Sequence, residues 1–153
     1  LINRFEQGLL LMIDYGFHHH EYYHPQRNTG TLMAHYRHQA LTNVLTLPGI
    51  SDITCHINFS SLLHSIEDAE NTQSFFSSQA TYLLDAGITD LVLQQSDPND
   101  PQQMIAISNG IQKLISEAEM GELFKVLAFG KNLGSLDLDL HALPGFRGRN
   151  RVY

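Results

Sequence analysis

The sequence predicts a mixed α/β domain, on the strength of three segments. The first is Leu9-Leu10-Leu11-Met12-Ile13, an apolar run without alternation set between Gly8 and Asp14-Tyr15-Gly16. A short run of this kind reads as a central strand covered on both faces. The second is Asp100-Pro101-Gln102-Gln103, a helix opening with a capping carboxylate, a proline at the first helical position and a glutamine three residues after the cap. The third is Phe124-Lys125-Val126-Leu127-Ala128-Phe129, which Gly130 stops and which reads as a further strand. With 153 residues, 42% of them hydrophobic, the chain has the apolar mass for one core of ordinary size.

Between these anchors the elements follow in order. Residues 17–28 are polar and aromatic, with His18-His19-His20, Tyr22-Tyr23 and Pro25, and without period they read as a long loop. Thr31-Leu32-Met33-Ala34-His35-Tyr36-Arg37-His38 mixes rings and a guanidinium with apolar residues, and the pattern assigns it no element. Ile53, Cys55, Ile57 and Phe59 alternate with Thr54, His56 and Asn58, as in a half-buried extended segment. That alternation puts Asp52, Thr54 and His56 on one side and Ile53 with Cys55 on the other, the cysteine as a small core residue. A helix follows from Asn58 or Phe59 to Ala69, with Leu62, Leu63 and Ile66 on one face. Ser77-Ser78, residues 79–86 and Gly87 carry the start and stop signals of a short helix. Leu91-Val92-Leu93 fits helix or strand. The helix opened at Asp100 presents Met104, Ile107, Ile111, Leu114 and Ile115 on one face despite Gly110.

Nine Lys and Arg against sixteen Asp and Glu give a net charge of −7, which argues against sequence-independent nucleic-acid binding. The one basic cluster, Arg147, Arg149 and Arg151, lies at the C-terminal end. No apolar run approaches the roughly 20 residues of a membrane span. A single cysteine forms no internal disulfide, and no signal-peptide pattern opens the chain, so a reducing cytoplasm is the expected compartment. The chain starts at Leu1 and enters an apolar run within eight residues, as expected of a piece of a longer protein.

Eight of the nine histidines fall in the first 64 residues, so chemistry-capable side chains concentrate there. Asp14 follows directly on the first strand, where ligands bind in open α/β sheets; the alternative is a turn cap completed by Gly16. His18, His19, His20 and His24 offer imidazole donors. They lack a second cysteine, a His-x-x-x-His helix or a neighbouring carboxylate pair, so an exposed histidine-rich loop without metal is expected. His35-Tyr36-Arg37-His38 gathers imidazoles, a phenol and a guanidinium able to orient a polar or anionic substrate; the alternative is a loop in which Arg37 pairs with Asp52. Ser60 and Ser61 lack the turn that presents a nucleophilic serine, and no phosphate-binding loop is present.

Several blocks occur together in one order: Leu11-Met12-Ile13-Asp14-Tyr15-Gly16, Tyr22-Tyr23-His24-Pro25, Gly30-Thr31-Leu32-Met33 with His35-Tyr36-Arg37-His38, and Pro48-Gly49 through Asp52-Ile53-Thr54 to Phe59. Residues 79–87 and Glu119-Met120-Gly121-Glu122-Leu123-Phe124-Lys125-Val126 complete the series. Across residues 9–131 the chain resembles the C-terminal half of the MidA-like S-adenosylmethionine-dependent methyltransferases. The resemblance implies the C-terminal half of a class I, Rossmann-like α/β sheet with helical insertions. Residues 1–146 would form this part of the domain and residues 147–153 a basic tail. It also implies that residues 9–13 are an inner strand, with the later antiparallel pair at residues 71–76 and 124–129.

The family's cofactor is S-adenosylmethionine, and its mitochondrial members methylate a protein arginine during assembly of respiratory complex I. The glycine-rich cofactor turn of the N-terminal half is absent here, and the family's Val-Asp-Phe block stands as Ile57-Asn58-Phe59. The resemblance thus implies an acceptor-side half, inactive alone, with Asp14 and Tyr15 as catalytic candidates. His35, Tyr36, Arg37, His38, Asp52, Thr54 and His56 are the candidates for binding a protein acceptor. The alternative is a non-catalytic binding or assembly module. The inner strand, lacking a neighbour, invites homo-oligomerisation through its edge.

Overall fold

The computed structural model describes residues 4–67, 69–97 and 99–151. Along the chain its elements are β1 (Gly8–Phe17), α1 (His19–Tyr22), β2 (Met33–Tyr36), β3 (Gln39–Leu41), β4 (Asp52–Thr54), β5 (Ile57–Asn58) and α2 (Phe59–Glu67). There follow β6 (Thr72–Ser78), α3 (Gln79–Asp85), α4 (Ile88–Gln95), α5 (Pro101–Ile115), α6 (Met120–Leu123) and β7 (Phe124–Lys131). Two compact units share them: Gly16–Ser61 form one, and the residues up to Tyr15 with those from Leu62 onward form the other.

In the larger unit β7 runs antiparallel to β1 on one edge, Gly8 opposite Lys131 through Tyr15 opposite Phe124. On its other edge β7 runs antiparallel to β6, Thr72 opposite Lys131 through Ser78 opposite Lys125. The mixed α/β class and the antiparallel pair are as expected. The strand covered on both faces, however, is β7, whose residues from Lys125 to Gly130 are all buried. In β1, Leu9, Leu11 and Ile13 are 43%, 40% and 48% exposed, and only the face of Leu10 and Met12 is packed. An apolar run is ambiguous here, because either strand's composition permits two-sided burial and only the neighbours decide it.

The core of this unit joins Phe75, Ala128, Leu133, Leu140 and Phe146, with Tyr82 and Leu143 packed against it. Helix starts follow the local chemistry. The Ser78 hydroxyl accepts the Thr81 N–H at 3.4 Å, and the Asp100 carboxylate accepts those of Gln102 and Gln103 at 3.1 and 3.0 Å. Leu91-Val92-Leu93 resolves as helix within α4. Gly121 is fixed by close approach: a Cβ there would strike the Ile115 and Ser116 carbonyls, while its N–H donates to Ser116 O at 2.9 Å. Residues 145–151 lie along this unit. Asp85 Oδ2 accepts from the Gly145 and Arg147 N–H groups at 2.7 and 3.0 Å. The Phe76 N–H donates to Asn150 Oδ1 at 3.0 Å, and the Arg151 N–H donates to Phe76 O at 2.7 Å. No described helix is long and apolar enough to cross a membrane.

In the smaller unit β2 lies between β3 and β4 in an antiparallel sheet. The end of β1 pairs in parallel with β5, Gly16 opposite Ile57 and Phe17 opposite Asn58. Gly16 is obligatory there, since a Cβ would collide with the Ile57 carbonyl. Three expectations change. Residues 17–28 are not one irregular loop: they hold α1 and a 3-10 turn at Pro25–Arg27, where Pro25 opens the turn and His24 Nδ1 accepts the Gln26 N–H at 3.3 Å. The alternating segment 53–59 is broken into β4 and β5. Cys55 falls in the break and is exposed, not core.

Candidate functional site

The β2–β3 hairpin brings several chemistry-bearing side chains together. Ala34 opposite Leu41 and Tyr36 opposite Gln39 leave a two-residue tip, Arg37-His38. Both tip residues have positive φ, 48° and 63°, as a type I′ turn demands. Such turns favour Asn-Gly, because a side chain in the left-handed region costs roughly 1–2 kcal/mol. The tip therefore places a guanidinium and an imidazole where the backbone prefers neither.

His35, Arg37, His38 and Asp52 line a cleft of about 490 Å³. His35 is half-buried and registered opposite Asp52 of β4, which delivers that carboxylate beside the imidazole. The Arg37 guanidinium lies 5.3 Å from the Tyr36 ring centroid. Arg37 and Asp52, expected as a possible ion pair, form none among the described residues. Tyr36 flanks the cleft without lining it. Thr54 is registered opposite Met33, and His56 stacks on Phe17 at 4.8 Å with the Arg27 guanidinium 3.9 Å from the same ring. Four of the seven acceptor-binding candidates thus share one cleft, and Thr54 and His56 stand outside it.

Asp14 and Tyr15 belong to the larger unit. Asp14 Oδ1 accepts the Tyr15 N–H at 2.8 Å, and Asp14 is registered opposite Lys125. The Lys125 ammonium is turned elsewhere, to the carbonyl and carboxylate of Glu122, the latter at 3.0 Å. The Tyr15 ring meets Phe124 edge-on at 5.5 Å. Asp14 therefore neither follows the strand nor caps a turn, as the sequence suggested: β1 runs on to Phe17, because Gly16 and Phe17 find a partner strand in β5, and the bond to Tyr15 engages one of the two carboxylate oxygens.

Sequence reasoning missed two features of the larger unit. One is a polar cleft of about 700 Å³ among Gln7, Asn71, Gln73, Asn132 and Ser135. Its local signal was weak: two asparagines, both with positive φ, at the strand ends. The other is Glu122, gripped by buried Lys125 and by Arg151 at 2.7 Å. Burial pushes its carboxyl up, but the hydrogen bonds and charges of the two cations more than offset this and hold it below its ordinary value. Among the described residues no group of three or more His, Cys, Asp or Glu is placed to hold a metal. Neither cleft joins aromatic walls to a glycine-rich turn, so neither by itself fits a nucleoside-bearing cofactor.

Comparison with known proteins supplies the family. Residues 1–77 match the family described as "Putative S-adenosyl-L-methionine-dependent methyltransferase". The mitochondrial protein arginine methyltransferase NDUFAF7 of Rattus norvegicus is 32% identical over 125 residues, covering 79% of this chain and 26% of that protein. The crystal structure of an uncharacterized protein from Burkholderia thailandensis superposes with a TM-score of 0.82 at 47% identity, over 95% of this chain and 37% of that one. A B. thailandensis structure with S-adenosyl-homocysteine bound gives 0.81 at 47% identity, over 94% of this chain and 36% of that one. The chain therefore spans about a quarter of the rat relative and little more than a third of the solved ones. On these matches and this fold, the chain belongs to the S-adenosyl-L-methionine-dependent methyltransferase family of the MidA-like type.

Proposed function

We propose that the chain is the acceptor-side part of a methyltransferase that modifies an arginine of a protein. The observation that carries this reading is the 47% identity, across 94% of the chain, to a structure that holds S-adenosyl-homocysteine. The arginine acceptor is drawn from the rat relative's activity. S-adenosylmethionine would supply an electrophilic methyl group. Its glycine-rich binding turn would belong to the portion of such proteins beyond the third that this chain spans.

The chain's own residues then serve the acceptor. Asp14, within β1, holds the guanidinium through its second carboxylate oxygen and takes the proton that the guanidino nitrogen loses on methylation. Tyr15, edge-on against Phe124, fixes the backbone that orients that carboxylate. In the smaller unit, the hairpin cleft of His35, Arg37, His38 and Asp52 offers the acceptor protein a binding surface of its own, with Tyr36, Thr54 and His56 shaping its surroundings.

In the full-length protein, Asp14→Asn keeps an oxygen for the Tyr15 N–H and removes the charge. Methyl transfer to an arginine peptide should fall by about 100-fold or more while the melting temperature holds. Undiminished transfer would overturn the role of Asp14. No transfer by the unmodified full-length protein to any arginine substrate would favour the non-catalytic module.

A further inference from the structure

The hairpin tip pairs a strained backbone with a cation that, among the described residues, makes no ion pair. Arg37 and His38 hold left-handed conformations in which glycine or asparagine would sit without strain. Their side chains face the same cleft as His35 and Asp52. Among the described residues Arg37 makes no ion pair, and the adjacent Tyr36 ring, 5.3 Å away, steadies its guanidinium. Among the described residues Asp52 is the one acid lining the cleft; it is registered opposite His35 and makes no ion pair with Arg37.

Counting hydrogen-bonding capacity, the cleft is rich in donors: a guanidinium fork and two imidazoles against one carboxylate. A planar fork of this kind matches the two oxygens of a carboxylate or a phosphate. We infer that the β2–β3 tip is an oxyanion-binding site, in which Arg37 grips the anion and His35 and His38 add N–H donors. The anion is presented as an acidic side chain of a docking protein or as free phosphate. The inference deepens the reading of this cleft as an acceptor-binding surface. It concerns binding alone, so the methyl-transfer assay above stands or falls independently of it.

The test is a titration of the ¹⁵N-labelled chain, following the imidazole signals of His35 and His38 and the backbone amides of residues 35–38. The probes are sodium phosphate, acetyl-Gly-Glu-Gly amide and its Gln counterpart. Saturable shifts with the glutamyl peptide and none with the glutaminyl peptide are expected. Shifts with phosphate alone would assign the site to the free anion. In either case Arg37→Gly, which suits the turn, should weaken binding at least about 10-fold. Should glycine loosen the hairpin, Arg37→Asn also tolerates the left-handed region and serves the same test. No saturable shift with either anion, or an unchanged response in the Arg37 variants, would overturn the inference.

Discussion

Glu122 shows how single residues couple this fold to pH. With its carboxyl lowered in the native state by Lys125 and Arg151, the unfolded chain holds the Glu122 proton more tightly than the folded one. Its stabilisation is therefore complete above the ordinary glutamate range and lost as pH falls through the lowered native value. The group is 39% exposed, so the solvent-screened contribution is on the order of 1 kcal/mol at most. Glu122→Gln should show that deficit in urea unfolding at neutral pH, and the deficit should shrink to nothing in acid; a deficit independent of pH would refute it. Residues whose role is local were legible in the sequence. Asp100 and Ser78 cap helices because a short oxygen-bearing side chain satisfies the N–H groups two or three residues on. Cys55 was misread because its burial depends on where the extended segment breaks, which alternation alone does not show. The type I′ tip at Arg37-His38 was hidden for the opposite reason, since neither residue is one the turn prefers.

At the scale of elements, composition found the strands, and neighbours decided their burial. Both β1 and β7 carry unbroken apolar runs, yet only β7 lies between two partners along its length. The edge of β6 away from β7 is met by the chain segment that charge patterning reads as a basic tail. Asn150 accepts from the Phe76 N–H and donates to Ser74 O at 3.3 Å, so a side chain supplies bonds that another strand would make. Asn150→Ala should lower stability by about 1 kcal/mol and raise the tendency to aggregate, because the bared edge invites another strand. Denaturant unfolding with light scattering at matched concentration reads both, and a variant as stable and soluble as the parent would remove the edge-capping role.

For the whole molecule, the class and the family were legible because several linked blocks keep their order. The candidate site was legible only in part: His35, Arg37, His38 and Asp52 lie close in the chain and fold onto neighbouring strands. Thr54 and His56 separate because the register places one opposite Met33 and the break sends the other to Phe17. Among the described residues, residues 8–15 of β1 have a strand partner only at β7, and Leu9, Leu11 and Ile13 are exposed beside that open edge. We propose self-association there, and Leu11→Lys should shift sedimentation equilibrium toward monomer, since charge on an edge strand opposes pairing. A parent chain that is monomeric at high concentration would end this proposal.

The position of β7 has a further consequence, for time rather than structure. With β1 on one side and β6 on the other, and no face open to solvent from Lys125 to Gly130, its amides have no private route to water. Their exchange with deuterium should then proceed only when the larger unit opens as a whole. The slowest-exchanging amides of β7 become the clock by which that unit's global unfolding is read.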